Sequence, residues 1–148
     1  MAKQKAHTPG QILLRLLFVV YLGAMVWLLF GQRWGGEFYR SVNLTPLVTI
    51  RLYWRLLHSE NAYLVRHAFV NLLGNVVMFI PLGFFQPWLS RRLRTWYKTL
   101  ASTMVLILLV EAVQYLTRLG SCDIDDLILN IVGAVIGYTL WRITNRTS

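Results

Sequence analysis

The sequence predicts an all-α, polytopic membrane protein with four transmembrane helices and an interfacial segment between the first and second. Three observations lead there. Of the 148 residues, 56% are hydrophobic and only 14% charged, against roughly 25% charged in an ordinary soluble domain. Apolar runs close to or above the roughly 20 residues that cross a hydrocarbon core recur along the chain. The basic residues flank those runs in short blocks instead of lining one face of a soluble fold. The formal charge of +9 therefore reads as membrane topology, and nucleic acid is not an expected partner. The whole chain, 1–148, is expected to be one domain.

The first span covers about Gln11–Phe30, with Lys3, Lys5 and Arg15 on its N-terminal side. Arg15 lies near enough to the end to snorkel to the headgroups. The run is too long for a signal-peptide core and no small-residue cleavage site follows it, so it is expected to remain as an anchor. Loop 31–66 interleaves arginines with Trp34, Phe38, Tyr39, Tyr53 and Trp54, a composition suited to the membrane interface. Within it, Pro46–Leu57 fits either a short helix in the interface plane or an irregular loop.

The second span covers about His67–Leu89, where Pro81 and Pro87 predict a kink or an early end. The third covers about Tyr97–Arg118 and the fourth about Ile124–Trp141. Arg91, Arg92, Arg94 and Lys98 form the densest basic block, which the positive-inside rule assigns to the cytoplasm. Four spans then leave both termini cytoplasmic, with loop 31–66 and every acid except Glu111 outside.

Polar groups in hydrocarbon are costly unless partnered, so each one inside a span is a candidate for function or for helix–helix hydrogen bonding. At about 100° per residue, Glu111, Gln114 and Arg118 share one face of the third helix, and Asn71 and Asn75 one face of the second. On the fourth, Asp123, Asp126, Asn130, Gly133 and Gly137 share a face. At 1.5 Å per residue Glu111 lies about 20 Å from Lys98 and about 10 Å from Arg118, so all three stripes reach the outer half of the bilayer. The expected ligand-binding set is thus Asn71, Asn75, Glu111, Gln114, Arg118, Asp123, Asp126 and Asn130. It forms a pocket with Asn75, Glu111 and Asn130 at its floor and Arg118, Asp123 and Asp126 nearer its mouth.

The stretch Ser121-Cys122-Asp123-Ile124-Asp125-Asp126 carries three of the six acids. Asp123 suits an N-cap, and Asp125 and Asp126 suit the first turn of a helix with its positive dipole end there. Asp125 points about 100° away from Asp123 and Asp126, which makes it the expendable acid, tolerant of asparagine. Cys122 is the sole cysteine, so neither an intrachain disulfide nor a cysteine-based zinc site can form. Gly133-x-x-x-Gly137 permits close helix approach, expected within one subunit.

With these residues in view, the chain resembles the VanZ-like family of small bacterial membrane proteins. The resemblance runs from about Asn43 to Trp141, through Asn43-Leu44-Thr45-Pro46, Asn75-x-x-x-Phe79-x-Pro81-x-Gly83, Glu111-x-x-Gln114 and Asp123-x-x-Asp126-x-x-x-Asn130-x-x-Gly133. The sequence departs from the family pattern at Cys122, and Arg118 lies outside the matched pieces. The resemblance implies a module of the bacterial cytoplasmic membrane whose founding member is associated with resistance to teicoplanin-type glycopeptide antibiotics. It implies no reaction or substrate.

Three function classes fit these residues. The favoured one is a non-enzymatic envelope protein whose outer pocket binds an anionic lipid, a lipid-linked cell-wall precursor or the glycopeptide itself. The second is an intramembrane enzyme on a lipid-linked substrate, with Glu111 or Asp126 as general acid or base. The third is a proton or ion pathway through Glu111. No cofactor is expected, although Asp123, Asp126 and Asn130 are hard oxygen donors of the kind that suit Mg²⁺ or Ca²⁺.

Overall fold

A computed structural model describes residues 9–31, 42–119 and 122–145. The chain divides into two compact units, Met1–Trp34 and Gly35–Ser148. Lys3, Lys5, Trp34, Phe38, Tyr39 and Ser121, used in the sequence argument, lie outside the described residues. The first unit contributes one helix, α1 (Pro9–Phe30). Its exposed side chains include Leu13, Leu16, Val19, Val20 and Trp27, a hydrocarbon surface suited to lipid.

The second unit begins with a two-residue strand, β1 (Val42–Asn43), followed by the short helix α2 (Val48–Leu56). Then come α3 (Ala62–Leu89), a 3₁₀ turn (Arg91–Leu93) and α4 (Trp96–Leu116). Strand β2 (Cys122–Asp123) and α5 (Ile124–Thr144) complete it. Among the described residues four helices, α1, α3, α4 and α5, are long and apolar enough to cross a bilayer. The protein is a multi-pass, all-α membrane protein. Of the two forms open to Pro46–Leu57 the chain adopts the helical one, which displays Val48, Leu52 and Trp54 alongside Arg51 and Arg55.

Packing centres on α3 against α5, where both helices come into backbone contact. A Cβ on Gly133 would overlap the carbonyl oxygen of Val76, one on Gly137 that of Ile80, and one on Gly83 that of Ala134. The pairs 133/76 and 137/80 advance together by four residues, so α3 and α5 run parallel, as alternate spans must. The GxxxG motif therefore serves contact within one chain, the close approach that small residues permit in lipid. Helix α4 returns alongside this pair, more against α5 than α3, and buries Thr99, Thr103 and Ile107. Outward-pointing Phe69, Val77, Val105, Leu109, Val132 and Leu140 leave the unit's flanks apolar.

Helix α3 excludes one of the two outcomes expected at its prolines. It continues as helix through Pro81 and Pro87 to Leu89 and does not end early. Each proline removes one hydrogen bond, and neighbouring helices make such losses tolerable inside a membrane bundle. At 28 residues the helix is about 42 Å long, more than a hydrocarbon core of about 30 Å requires. Its first turns therefore rise beyond the ends of α4 and α5, and α2 packs against them.

Candidate functional site

The C-terminus of α4, the N-terminus of α5 and the middle of α3 meet at one end of the bundle, beneath α2. Chain geometry there begins with Asn43. Its side-chain oxygen accepts from Thr45 N–H (3.1 Å), an Asx turn that starts the Leu44-Thr45-Pro46-Leu47 bend. Its amide donates to Asp123 Oδ1 (3.1 Å) and Thr49 Oγ1 (3.1 Å). The backbones continue the link: β1 and β2 pair in parallel, Val42 with Cys122 and Asn43 with Asp123.

Asp123 is the N-cap of α5, as its sequence position suggests, and accepts from Asp125 N–H at 2.9 Å. Its other oxygen accepts from Thr49 Oγ1 at 2.6 Å, while its own N–H reaches Glu111 Oε2 at 3.4 Å. Asn75 donates to Asp126 Oδ1 at 2.6 Å, joining α3 to α5. Glu111, Gln114, Asp123 and Asn130 are all at least nine-tenths buried. Asn130 lies one turn below Asp126, and its side-chain oxygen is buried without a partner.

Asp125 overturns the reading that made it dispensable. It is fully buried and accepts three backbone N–H groups: Leu47 (2.6 Å), Thr49 (2.7 Å) and Ile50 (3.1 Å). These are the orphan donors of the first turn of α2, whose own N-cap, Leu47, has no oxygen to offer. Leu47 also sits in the left-handed region (φ 67°), a conformation that costs a non-glycine residue about 1 kcal/mol and is held here by the Asp125 carboxylate. The helical-wheel argument was right that Asp125 diverges from Asp126. The direction it takes leads to α2 and not to lipid or water.

Two other expected site residues stand apart. Asn71 is half-buried and donates to the His67 carbonyl of its own helix (2.7 Å). It lines a separate cavity with Tyr63, Arg66 and His67. Arg118 is exposed and holds the left-handed position (φ 59°) of a Schellman turn ending α4. Leu119 N–H reaches the Gln114 carbonyl (2.9 Å) and Arg118 N–H that of Tyr115 (3.3 Å). The division into floor and mouth also changes, because Asn75 bonds Asp126 and Glu111 meets Asp123, leaving Asn130 alone a turn deeper. Among the described residues no three His, Cys, Asp or Glu side chains cluster as metal ligands. A cation at Asp123 would have to displace Asn43, Thr49 and the Asp125 N–H from its oxygens.

Sequence reasoning missed Thr49, set Asp125 aside, and named Asn43 only for the family resemblance. The turn-forming Asn-x-Thr-Pro segment before α2 was the available signal for Asn43; nothing in the sequence marked Thr49. Burial, and after it the charges of Glu111 and Asp123, pushes the Cys122 thiol above its ordinary range. Fewer thiolates are then present at neutral pH, so maleimide should label this sole cysteine more slowly than a free thiol. The labelling rate should keep climbing at pH values where a free thiol has levelled off; parallel pH profiles would contradict the raised value.

The pieces by which the sequence resembled a family thus come together: Asn43 with Asp123, Asn75 with Asp126, Glu111 with the Asp123 backbone, and Gly133 against α3. The VanZ/LLP1 family matches residues 17–145, most of the chain. The chain belongs to the VanZ/LLP1 family. Protein VanZ of Enterococcus faecium is 30% identical to it over 143 residues, covering 93% of this chain and 78% of that protein. No solved structure matches the chain. In this VanZ/LLP1 protein the family-like polar residues form one hydrogen-bonded junction between three spanning helices and the loop before them.

Proposed function

We propose that the protein acts in the bacterial cytoplasmic membrane with both termini inside and the acid–amide junction toward the extracytoplasmic face. There it binds a cell-envelope component without chemically altering it, and so lowers susceptibility to teicoplanin-type glycopeptides. The antibiotic link rests on the family and on the similarity to Protein VanZ. The observation that carries the binding role is the buried, unpartnered oxygen of Asn130 beneath the carboxylate of Asp126. Burying an acceptor unpaired is costly, and a ligand that donates hydrogen bonds removes that cost.

Such a ligand carries an ammonium, amide N–H groups or sugar hydroxyls, the chemistry of cell-wall precursors, amine-bearing lipid headgroups and glycopeptides. Arg51, Trp54 and Arg55 border a cavity of about 470 Å³ on α2 at the same end and supply charge and stacking for an anionic or aromatic portion. Expression in a susceptible host should raise the inhibitory concentration of teicoplanin. Asn130→Leu, which removes the acceptor at similar volume, and the isosteric Asp126→Asn, both matched for membrane abundance, should return it toward the vector control and reduce retention of fluorescent teicoplanin or precursor by membranes. Full resistance in both variants would sink the proposal. Retained binding with lost resistance on Glu111→Gln would instead favour carboxylate acid–base catalysis.

A further inference from the structure

The opposite end of the bundle contains a second, independent polar feature. A cavity of about 410 Å³ lies between the turn before α4 and the last turn of α5, lined by Arg94, Thr95, Trp96, Tyr138, Trp141 and Arg142. We propose that it binds a phosphate group, carried either by an anionic lipid headgroup or by a soluble phosphate.

Three kinds of donor border this space. Arg94 and Arg142 contribute guanidinium groups, whose planar forks suit phosphate oxygens. Thr95, the N-cap of α4, makes no side-chain cap, so the first N–H groups of that 21-residue helix have no partner within it. They and the positive dipole end favour an anion. The third donor is the indole N–H of Trp141, whose side chain is more than nine-tenths buried and whose Nε1 has no partner. An indole nitrogen can only donate, so an anion oxygen in the cavity is the acceptor it lacks.

Charge and rigidity agree with this. Among the described residues this end carries Arg91, Arg92, Arg94, Lys98 and Arg142, whereas Glu60, Glu111, Asp123, Asp125 and Asp126 all lie at the other. Tyr138 Oη donates to the Arg94 carbonyl at 2.9 Å and its ring meets Trp141 at 5.7 Å, fixing the loop against α5. The negative end of α5 opposes anion binding, but Asn145 covers the Trp141 carbonyl with both its N–H (3.0 Å) and its side-chain amide (2.9 Å). Trp96 lines the cavity and Tyr97 follows it, both exposed, the kind of amphipathic ring that favours the headgroup region.

The test uses the full chain in neutral detergent, titrated with phosphatidylglycerol, phosphatidylcholine or sodium phosphate, and reads thermal midpoint and retained lipid by native mass spectrometry. Phosphatidylglycerol should raise the midpoint and remain bound well beyond the phosphatidylcholine baseline. Arg94→Gln/Arg142→Gln should weaken this about tenfold, by loss of charge-assisted bonds. Trp141→Phe, which keeps the ring, should weaken it about fivefold, and Arg91→Gln/Arg92→Gln should leave it unchanged. Stabilisation by inorganic phosphate that lipid does not exceed would identify the ligand as a soluble phosphate at the same site. A wild type that responds to neither, or equal losses in both arginine pairs together with an unaffected Trp141→Phe, would overturn the proposal.

Discussion

Asp125→Asn should release α2 from the bundle. The substitution keeps shape but removes the charge and turns an NH₂ toward a cluster of N–H donors. Three backbone bonds, at 2.6, 2.7 and 3.1 Å, depend on that carboxylate, and a buried N–H left unpaired costs about 1 to 3 kcal/mol. We expect roughly 2 to 4 kcal/mol of local destabilisation, since bonds to a charged acceptor are the stronger class. Arg51 and Arg55 lie exposed on α2 and provide the readout. Trypsin cleavage there follows the open population, so it should accelerate about thirtyfold or more. Glu60→Gln, at an exposed acid between α2 and α3, should change it little. Unchanged proteolysis of Asp125→Asn would remove the carboxylate from its assigned role.

Gly137→Ala should separate α3 from α5. The added methyl meets the Ile80 carbonyl oxygen and lies 2.9 Å from Phe84 N, both backbone atoms that no rotamer change can move aside. The helices must therefore part, and overpacking of this kind costs about 1 to 3 kcal/mol or more. Gly74→Ala is the matched control, because open space surrounds its Cβ position in the same bundle. It should be neutral or stabilising by up to about 1 kcal/mol through helix propensity. Thermal aggregation in detergent would order the three proteins as Gly74→Ala, wild type, Gly137→Ala, and an equal midpoint for Gly137→Ala would refute the close approach.

How far the sequence could be read differs between residues for physical reasons. The spans were visible because hydrocarbon runs of bilayer length have few other uses, and Gly133 and Gly137 because lipid-embedded helices favour small residues where they touch. Pro81 and Pro87 do not end their helix because the breaking rule belongs to helices solvated by water. Arg118 looked like a charge facing a pocket. It instead occupies a turn position usually held by glycine, and backbone geometry of that kind leaves no mark on a helical wheel. Asp125 failed for a further reason. Its partners are backbone N–H groups 75 to 78 residues earlier, and no periodicity within one helix encodes a bond to another segment's main chain. Trp141 drew no notice, since an unpaired indole is visible only once its neighbours are known.

The ladder that joins Asn43 to Asp123 sets an order of events during synthesis. A ribosome releases Asn43, Thr49 and Leu47 long before it reaches the acids that hold them, and the contacts closing this loop span about 80 residues. Until the last helix inserts, α2 lacks its cap, Leu47 lacks the bond that holds its left-handed turn, and Asn75 lacks Asp126. Non-local closure of this kind is slow and comes after local helix formation. The junction therefore marks completion of the chain: one stopped before β2 and α5 can carry three inserted helices and still lack every bond that Asp123, Asp125 and Asp126 make.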